Sequence, residues 1–151
     1  MTFTHALIIA ALAGSIMAWQ GAINSLLSRS ITLAGTTLVV HLVGAVLSGA
    51  VVLAGLTADM LNIRWTDLAE APWYTYLGGA LGVAIVWSVA ASIGIAGAAP
   101  ATTAIIAGQV LTAALLDHFG LLHLRQVPFS PARGLGIVLL AAGAWLMLRR
   151  P

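Results

Sequence analysis

Residues 4–27 read THALIIAALAGSIMAWQGAINSLL, a stretch without a single Asp, Glu, Lys or Arg. At about 1.5 Å of rise per residue, some 20 apolar residues in a helix cross the ~30 Å hydrocarbon core of a bilayer. This stretch is long enough. It lacks the positively charged start of a signal peptide and has about twice the ~7–15 apolar residues such peptides carry. It is therefore expected to be a retained membrane helix.

Four more apolar segments follow, at about 36–56, 73–95, 100–118 and 131–149. The polar SRS closes the first segment. TADMLNIRWTDLAEAP separates the second from the third, GIAGAAP separates the third from the fourth, and DHFGLLHLRQVPFSPAR runs between the last two. Trp73, Tyr74, Tyr76 and Trp145 lie near segment ends, where aromatic belts form. Pro72 and Pro100 suit first helical turns. No segment alternates at period two, which argues against a β-barrel. Only helices and closed barrels satisfy backbone polar groups in lipid. The expected fold is an all-α integral membrane protein of five transmembrane helices in one domain, residues 1–151.

Composition agrees. The chain is 61% hydrophobic and 7% charged, with six arginines, no lysine and four acids. Soluble domains carry about 25% charged residues, so this chain cannot cover a water-facing surface and membrane lipid is its expected surrounding. No basic run exists, which excludes nucleic-acid binding. The absence of cysteine excludes disulfides, thiolate metal sites and thiol nucleophiles. His118 and His123 stand five apart, poor spacing for metal on one helix face. No metal, cofactor or catalytic group is expected, and the chain reads as a non-enzyme.

Five crossings put the termini on opposite sides. Arg64, Arg125 and Arg133 then fall on the N-terminal side, and Arg29, Arg149 and Arg150 on the other, three against three. Arginine bias normally sets orientation. Without it, insertion in both orientations is expected, and the two forms can pair antiparallel about an axis in the membrane plane. Small residues at four-residue spacing, Gly44 with Ser48 and Gly78 with Gly82, suit close helix packing.

Polar side chains inside the apolar segments carry the functional reading. Gln20 and Asn24 share a helix face at i and i+4, with Trp19 beside them. An uncompensated amide in hydrocarbon costs several kcal/mol. Either these amides make interhelical hydrogen bonds, each worth roughly 0.6 kcal/mol, or they line a cavity and meet substrate. Residues 107–118, AGQVLTAALLDH, echo 18–29, AWQGAINSLLSR, at four of twelve positions, Gln109 matching Gln20. Trp19, Gln20, Asn24 and Gln109 are the candidate cavity residues. Arg29, His41, Asp117 and His118 are candidates for a mouth or gate. Asp117 opposes the dipole at a helix C-terminus and needs compensation, from His123, Arg125 or Arg133. Hydroxyls such as Ser88, Ser92 and Thr112 are expected to bond back to their own helices. No acid sits mid-membrane, so neutral or anionic small metabolites fit better than hydrophobic cations.

The runs GQVLTAALLDHFGLL (108–122), QGAIN (20–24), PWYTYLGGALGVAIV (72–86) and RGLGIVLLAAGAWL (133–146) together resemble the YdcZ-type small family of the drug/metabolite transporter superfamily, over essentially the whole chain. The resemblance implies an inner-membrane protein whose five helices are half of a ten-helix inverted-repeat transporter. It also implies chains that pair in opposite orientations, and the balanced arginines fit a single dual-topology chain. The expected function is alternating-access transport by an antiparallel homodimer. The alternative is a non-transporting scaffold, lipid-binding or assembly protein.

Overall fold

The computed structural model describes residues 2–123 and 126–148. Four α-helices carry the chain: α1 (Phe3–Thr57), α2 (Leu77–Ala96), α3 (Ala98–Phe119) and α4 (Pro131–Leu148). No strand occurs among the described residues. All four helices are long and apolar enough to cross a membrane, α2 counted with the 3-10 turn Trp73–Tyr76 that leads into it. Large apolar side chains point outward along them, Leu12, Val46, Leu81 and Leu139 among many. Such a surface is stable only against lipid or another apolar face.

The chain divides into two compact units between Gly94 and Ile95. In the first unit, α1 contains 55 residues, about 80 Å if straight and far too long for one crossing. It is broken at Ile31 (φ −128°, ψ 18°) and Thr32 (φ 70°, ψ 163°), leaving two helical arms, 3–30 and 33–57. Residues 28–35, expected to link two helices as a polar loop, are helical except for those two. The Thr32 hydroxyl accepts from the Gly35 N–H at 3.3 Å and caps the second arm. A β-branched residue at positive φ is strained, by about 1–3 kcal/mol.

The arms fold back on each other at this break, as contacts with α2 require. Gly21 lies against Val89 and Ile93, and Gly82 against His41. In a straight helix Gly21 and His41 would stand about 30 Å apart, whereas their partners Gly82 and Val89 are only about 10 Å apart along α2. Gly21 is what lets the first arm approach α2. A Cβ there would stand 2.7 Å from Ile93 Cδ1 and 2.8 Å from Val89 Cγ1. By contrast, a Cβ on Gly44 or Gly78 would meet nothing within 4 Å, so both present open faces, as does the exposed Ser48.

A loop with two 3-10 turns, Trp65–Glu70 and Trp73–Tyr76, leads into α2. It is held by Arg64 Nε to Asp67 Oδ2 at 3.1 Å and by the Tyr76 hydroxyl donating to the Leu68 carbonyl. Trp65 and Trp73 are exposed there, suited to the headgroup region. The polar break expected between α2 and α3 is a single residue, Gly97, and Pro100 stands in the first turn of α3.

In the second unit, α3 and α4 pack along each other. Gly120, left-handed at φ 61°, ends α3 with its N–H on the Leu116 carbonyl. Pro131 opens α4, where the Ser130 hydroxyl accepts from the Arg133 N–H at 3.3 Å.

Gly21→Val is expected to cost about 1–3 kcal/mol of stability through overpacking, read as a lowered midpoint in detergent unfolding of the purified protein. Gly14→Ala, where a Cβ meets nothing within 4 Å, is expected not to lower the midpoint and to raise it slightly, because alanine holds a helix better than glycine by about 0.5–1 kcal/mol.

Candidate functional site

The first unit gathers polar side chains beside α2. Asn24 is 5% exposed, Ser25 4% and Thr36 fully enclosed. The Thr36 and Thr37 hydroxyls bond back to the Thr32 and Leu33 carbonyls, both at 2.9 Å. Asn24 and Ser25 differ. Among the described residues neither side chain makes a hydrogen bond, yet neither leaves a polar atom completely sealed without a partner. Their polar atoms therefore keep some access to space outside the protein. The Ser25 hydroxyl lies beside Gly94, 3.3 Å from where a Cβ would stand.

One helical turn further along, His41 donates from Nδ1 to the Thr37 carbonyl at 2.8 Å. Its Nε2 is 3.4 Å from the position a Cβ on Gly82 would take. A groove of about 330 Å³ opens here, lined by Ala34, Thr37, Leu38, His41, Val83 and Trp87. Neither Thr37 nor Trp87 was a candidate from the sequence. Thr37 stands four residues before His41 on the same helix face, so the i, i+4 rule that paired Gln20 with Asn24 also pairs these two.

The remaining candidates stand apart from this group or open outward. Trp19 is 73% exposed. Gln20 and Arg29 are exposed on the first arm. Gln20 and Asn24 share a face by spacing, but only Asn24 is buried. Gln109 is exposed on α3, beside Ile105, Gly108, Thr112 and Ala113.

The second unit has its own polar centre, where α3 meets the loop to α4. Arg133 Nη1 reaches Asp117 Oδ2 at 3.3 Å and the Val127 carbonyl at 3.5 Å. Arg133 is thus the described partner of Asp117. Arg125 lies outside the described residues, as does the His123 side chain. The loop caps the exposed carbonyls of α3. The Val127 N–H donates to the Asp117 carbonyl at 2.8 Å and the Gln126 amide to the His118 carbonyl at 3.0 Å. The Phe129 N–H donates to His118 Nδ1 at 3.2 Å, and Phe119 and Phe129 stand edge-on to the imidazole. A backbone N–H can only donate, so Nδ1 accepts and the neutral ring carries its proton on Nε2. A cleft of about 320 Å³ between α3 and α4 begins at this ion pair and continues past Val110, Ala113, Gly136 and Ile137. No group of three or more candidate metal ligands occurs among the described residues.

These features define a multi-pass α-helical membrane protein with a few polar groups set into apolar helices. A family profile described as "Putative inner membrane exporter, YdcZ" matches residues 5–146, and the chain belongs to that family. It is a multi-pass protein of the inner membrane. No curated protein matches the chain, and no solved structure does.

The side chains of Arg133 and Asp117 are 42% and 40% exposed, so their attraction is screened. A double-mutant cycle of Asp117→Ala and Arg133→Ala, followed by detergent unfolding, is expected to give a coupling below about 1 kcal/mol. A coupling of several kcal/mol would mean that the membrane seals this pair from water.

Proposed function

We propose that the chain is a small transporter subunit that works as a dual-topology antiparallel homodimer, moving a small neutral or anionic metabolite by alternating access. Membership of an exporter family supports the transport role. The observation that carries the reading is Asn24 with Ser25, a buried polar pair with no hydrogen-bond partner among the described residues, set into an otherwise apolar helix. A carboxamide used only to join helices would be bonded across them; this one is left for a ligand or for water. Gln20 and Gln109, each exposed on its own apolar helix, add polar groups that lipid does not satisfy.

The three-against-three division of arginines supports insertion in both orientations. Two oppositely oriented copies reproduce the inverted repeat of larger transporters. The open faces at Gly44 and Gly78 leave room for a second copy. In such a pair, exchanging the roles of the two copies turns an inward-facing state into an outward-facing one of equal energy.

Orientation is the first test. A single cysteine placed after Pro151, in a chain that has no other, is expected to label to about half with an impermeant thiol reagent in intact cells, and fully after permeabilisation. All-or-none labelling would remove the homodimer. For transport, liposomes containing the purified protein are screened against radiolabelled sugars, amino acids, carboxylates and nucleosides. Wild type is expected to take up at least one compound class, and Asn24→Leu to lose at least about 10-fold of that uptake while keeping its unfolding midpoint. Unchanged uptake in a folded Asn24→Leu protein would make the residue a mere joint between helices. No uptake of any class by wild type would favour a scaffold or lipid-binding role.

A further inference from the structure

The cleft that begins at the Arg133–Asp117 pair extends well beyond it, and lies wholly within the second unit. Two hollows along the α3–α4 seam, of about 320 and 240 Å³, share Val110 and Ile137 and so form one trough. Its far end reaches Ala107 on α3 and Ala141 on α4. That is about 15 Å along α3 from Asp117 and about 12 Å along α4 from Arg133, close to half of the ~30 Å hydrocarbon core. The trough therefore runs from a helix end to about mid-membrane, the depth of one leaflet. Space is open along it: a Cβ on Gly108 or Gly136 would meet nothing within 4 Å. Apart from the ion pair, its lining is apolar.

The pair at the head of the trough has bonding capacity to spare on both partners. Arg133 uses Nη1 for both Asp117 Oδ2 and the Val127 carbonyl. Its Nε–H and Nη2–H groups, along another edge of the guanidinium, have no acceptor among the described residues. That edge is a planar fork of the kind that takes a phosphate by two parallel bonds. Asp117 Oδ1 receives no hydrogen bond among the described residues, so it remains an acceptor for a cationic N–H. Donors for an anion thus stand beside an acceptor for a cation, at the mouth of an apolar trough one leaflet deep.

We propose that this trough binds a zwitterionic phospholipid with a primary amine, a phosphatidylethanolamine. One acyl chain fills the α3–α4 seam, the phosphate takes the free edge of Arg133, and the ammonium donates to Asp117 Oδ1. The pair keeps its own bond, because the lipid uses other atoms. A trimethylammonium head carries the same charges but has no N–H to donate. An anionic glycerol head satisfies Arg133 and leaves Asp117 facing negative charge. The amine therefore sets the choice of headgroup. The site goes beyond the transport reading and does not depend on it.

The test uses the full-length protein, purified in detergent and stripped of lipid. Mixed micelles carry dioleoyl phosphatidylethanolamine, phosphatidylcholine or phosphatidylglycerol. Native mass spectrometry reads the lipid retained per chain, and the unfolding midpoint is measured in parallel. Wild type is expected to hold a single phosphatidylethanolamine about 10-fold more tightly than either other lipid, the worth of one charge-assisted hydrogen bond. Asp117→Asn is expected to reduce this preference, and Arg133→Gln to weaken retention of all three lipids. Gly136→Leu, which fills the trough and leaves the pair in place, is expected to lower retention of every lipid, and it tests the trough even where a charge variant does not fold. Equal retention of the three lipids by wild type would overturn the proposal, as would retention unchanged by Gly136→Leu. Free phosphoethanolamine is expected to leave the midpoint where it is; a rise matching that given by the lipid would make this a site for a soluble phosphate compound instead. A dimer cross-linked through Gly136→Cys with no lipid retained would mean that a second copy covers the trough, and would also overturn it.

Discussion

Everything in this chain depends on one rule of the hydrocarbon phase: a polar group without a partner costs several kcal/mol. The backbone meets it by helix formation. Side-chain hydroxyls meet it locally. Ser15 bonds to the Ala11 carbonyl, Ser48 to Gly44, Ser88 to Ala84, Ser92 to Val89 and Thr103 to Ala99. These residues therefore stay neutral to lipid and need no tertiary partner. A carboxamide has a longer side chain with donors and an acceptor, and one bond to its own helix leaves the rest of its capacity unused. That difference separates hydroxyls satisfied by their own helix, such as those of Ser48 and Ser88, from the buried Asn24 amide and its neighbour Ser25, which are not.

The same rule explains the break in α1. Where the chain reverses, the N–H groups of the first turn of the second arm lose their helical acceptors. Thr32 supplies a hydroxyl to Gly35, and its carbonyl takes the Thr36 hydroxyl. The reversal is thus made at Ile31 and Thr32, of which Thr32 caps the arm that follows at the cost of its own strained backbone. A short reversal keeps both arms beside α2, and the contacts of α2 with Gly21 on the first arm and His41 on the second follow from it.

Apolar length made the helices legible, because the membrane demands it of every crossing. The ends were harder. Nothing in SRSIT marks a reversal: there is no glycine or proline, and Thr32 adopts its positive φ for tertiary reasons that a local pattern does not carry. The polar character of Ser28, Arg29 and Ser30 read as loop, but polar residues at a membrane interface are equally at home in the last turn of a helix. GIAGAAP likewise read as a break, yet alanine is the best helix former and only Gly97 leaves the helix. The small residues were ambiguous in the same way. Gly78 and Gly82 are indistinguishable as a pair, and only the fold shows that Gly82 receives the His41 ring while Gly78 opens outward. Among the candidate site residues, Asp117 could be seen to need a cation because its place at a helix end is electrostatically wrong. Which cation answered it depended on how α4 starts, and Pro131 with Ser130 sets that start.

His41 and His118 show how far side-chain type underdetermines chemistry. One ring gives its Nδ1–H to a carbonyl within its own helix. The other receives a backbone N–H from a loop eleven residues away. The first bond survives protonation and the second does not, since a charged imidazole has no acceptor left. The Nδ1–H of His41 is thus used within its own helix, whereas Nδ1 of His118 is the acceptor that ties Phe129 to α3. Their positions fit these properties. The first ring lies within the membrane part, anchored to its own helix beside Gly82 of α2. The ring that must stay neutral to hold its bond sits at a helix end, where it helps hold the loop between α3 and α4.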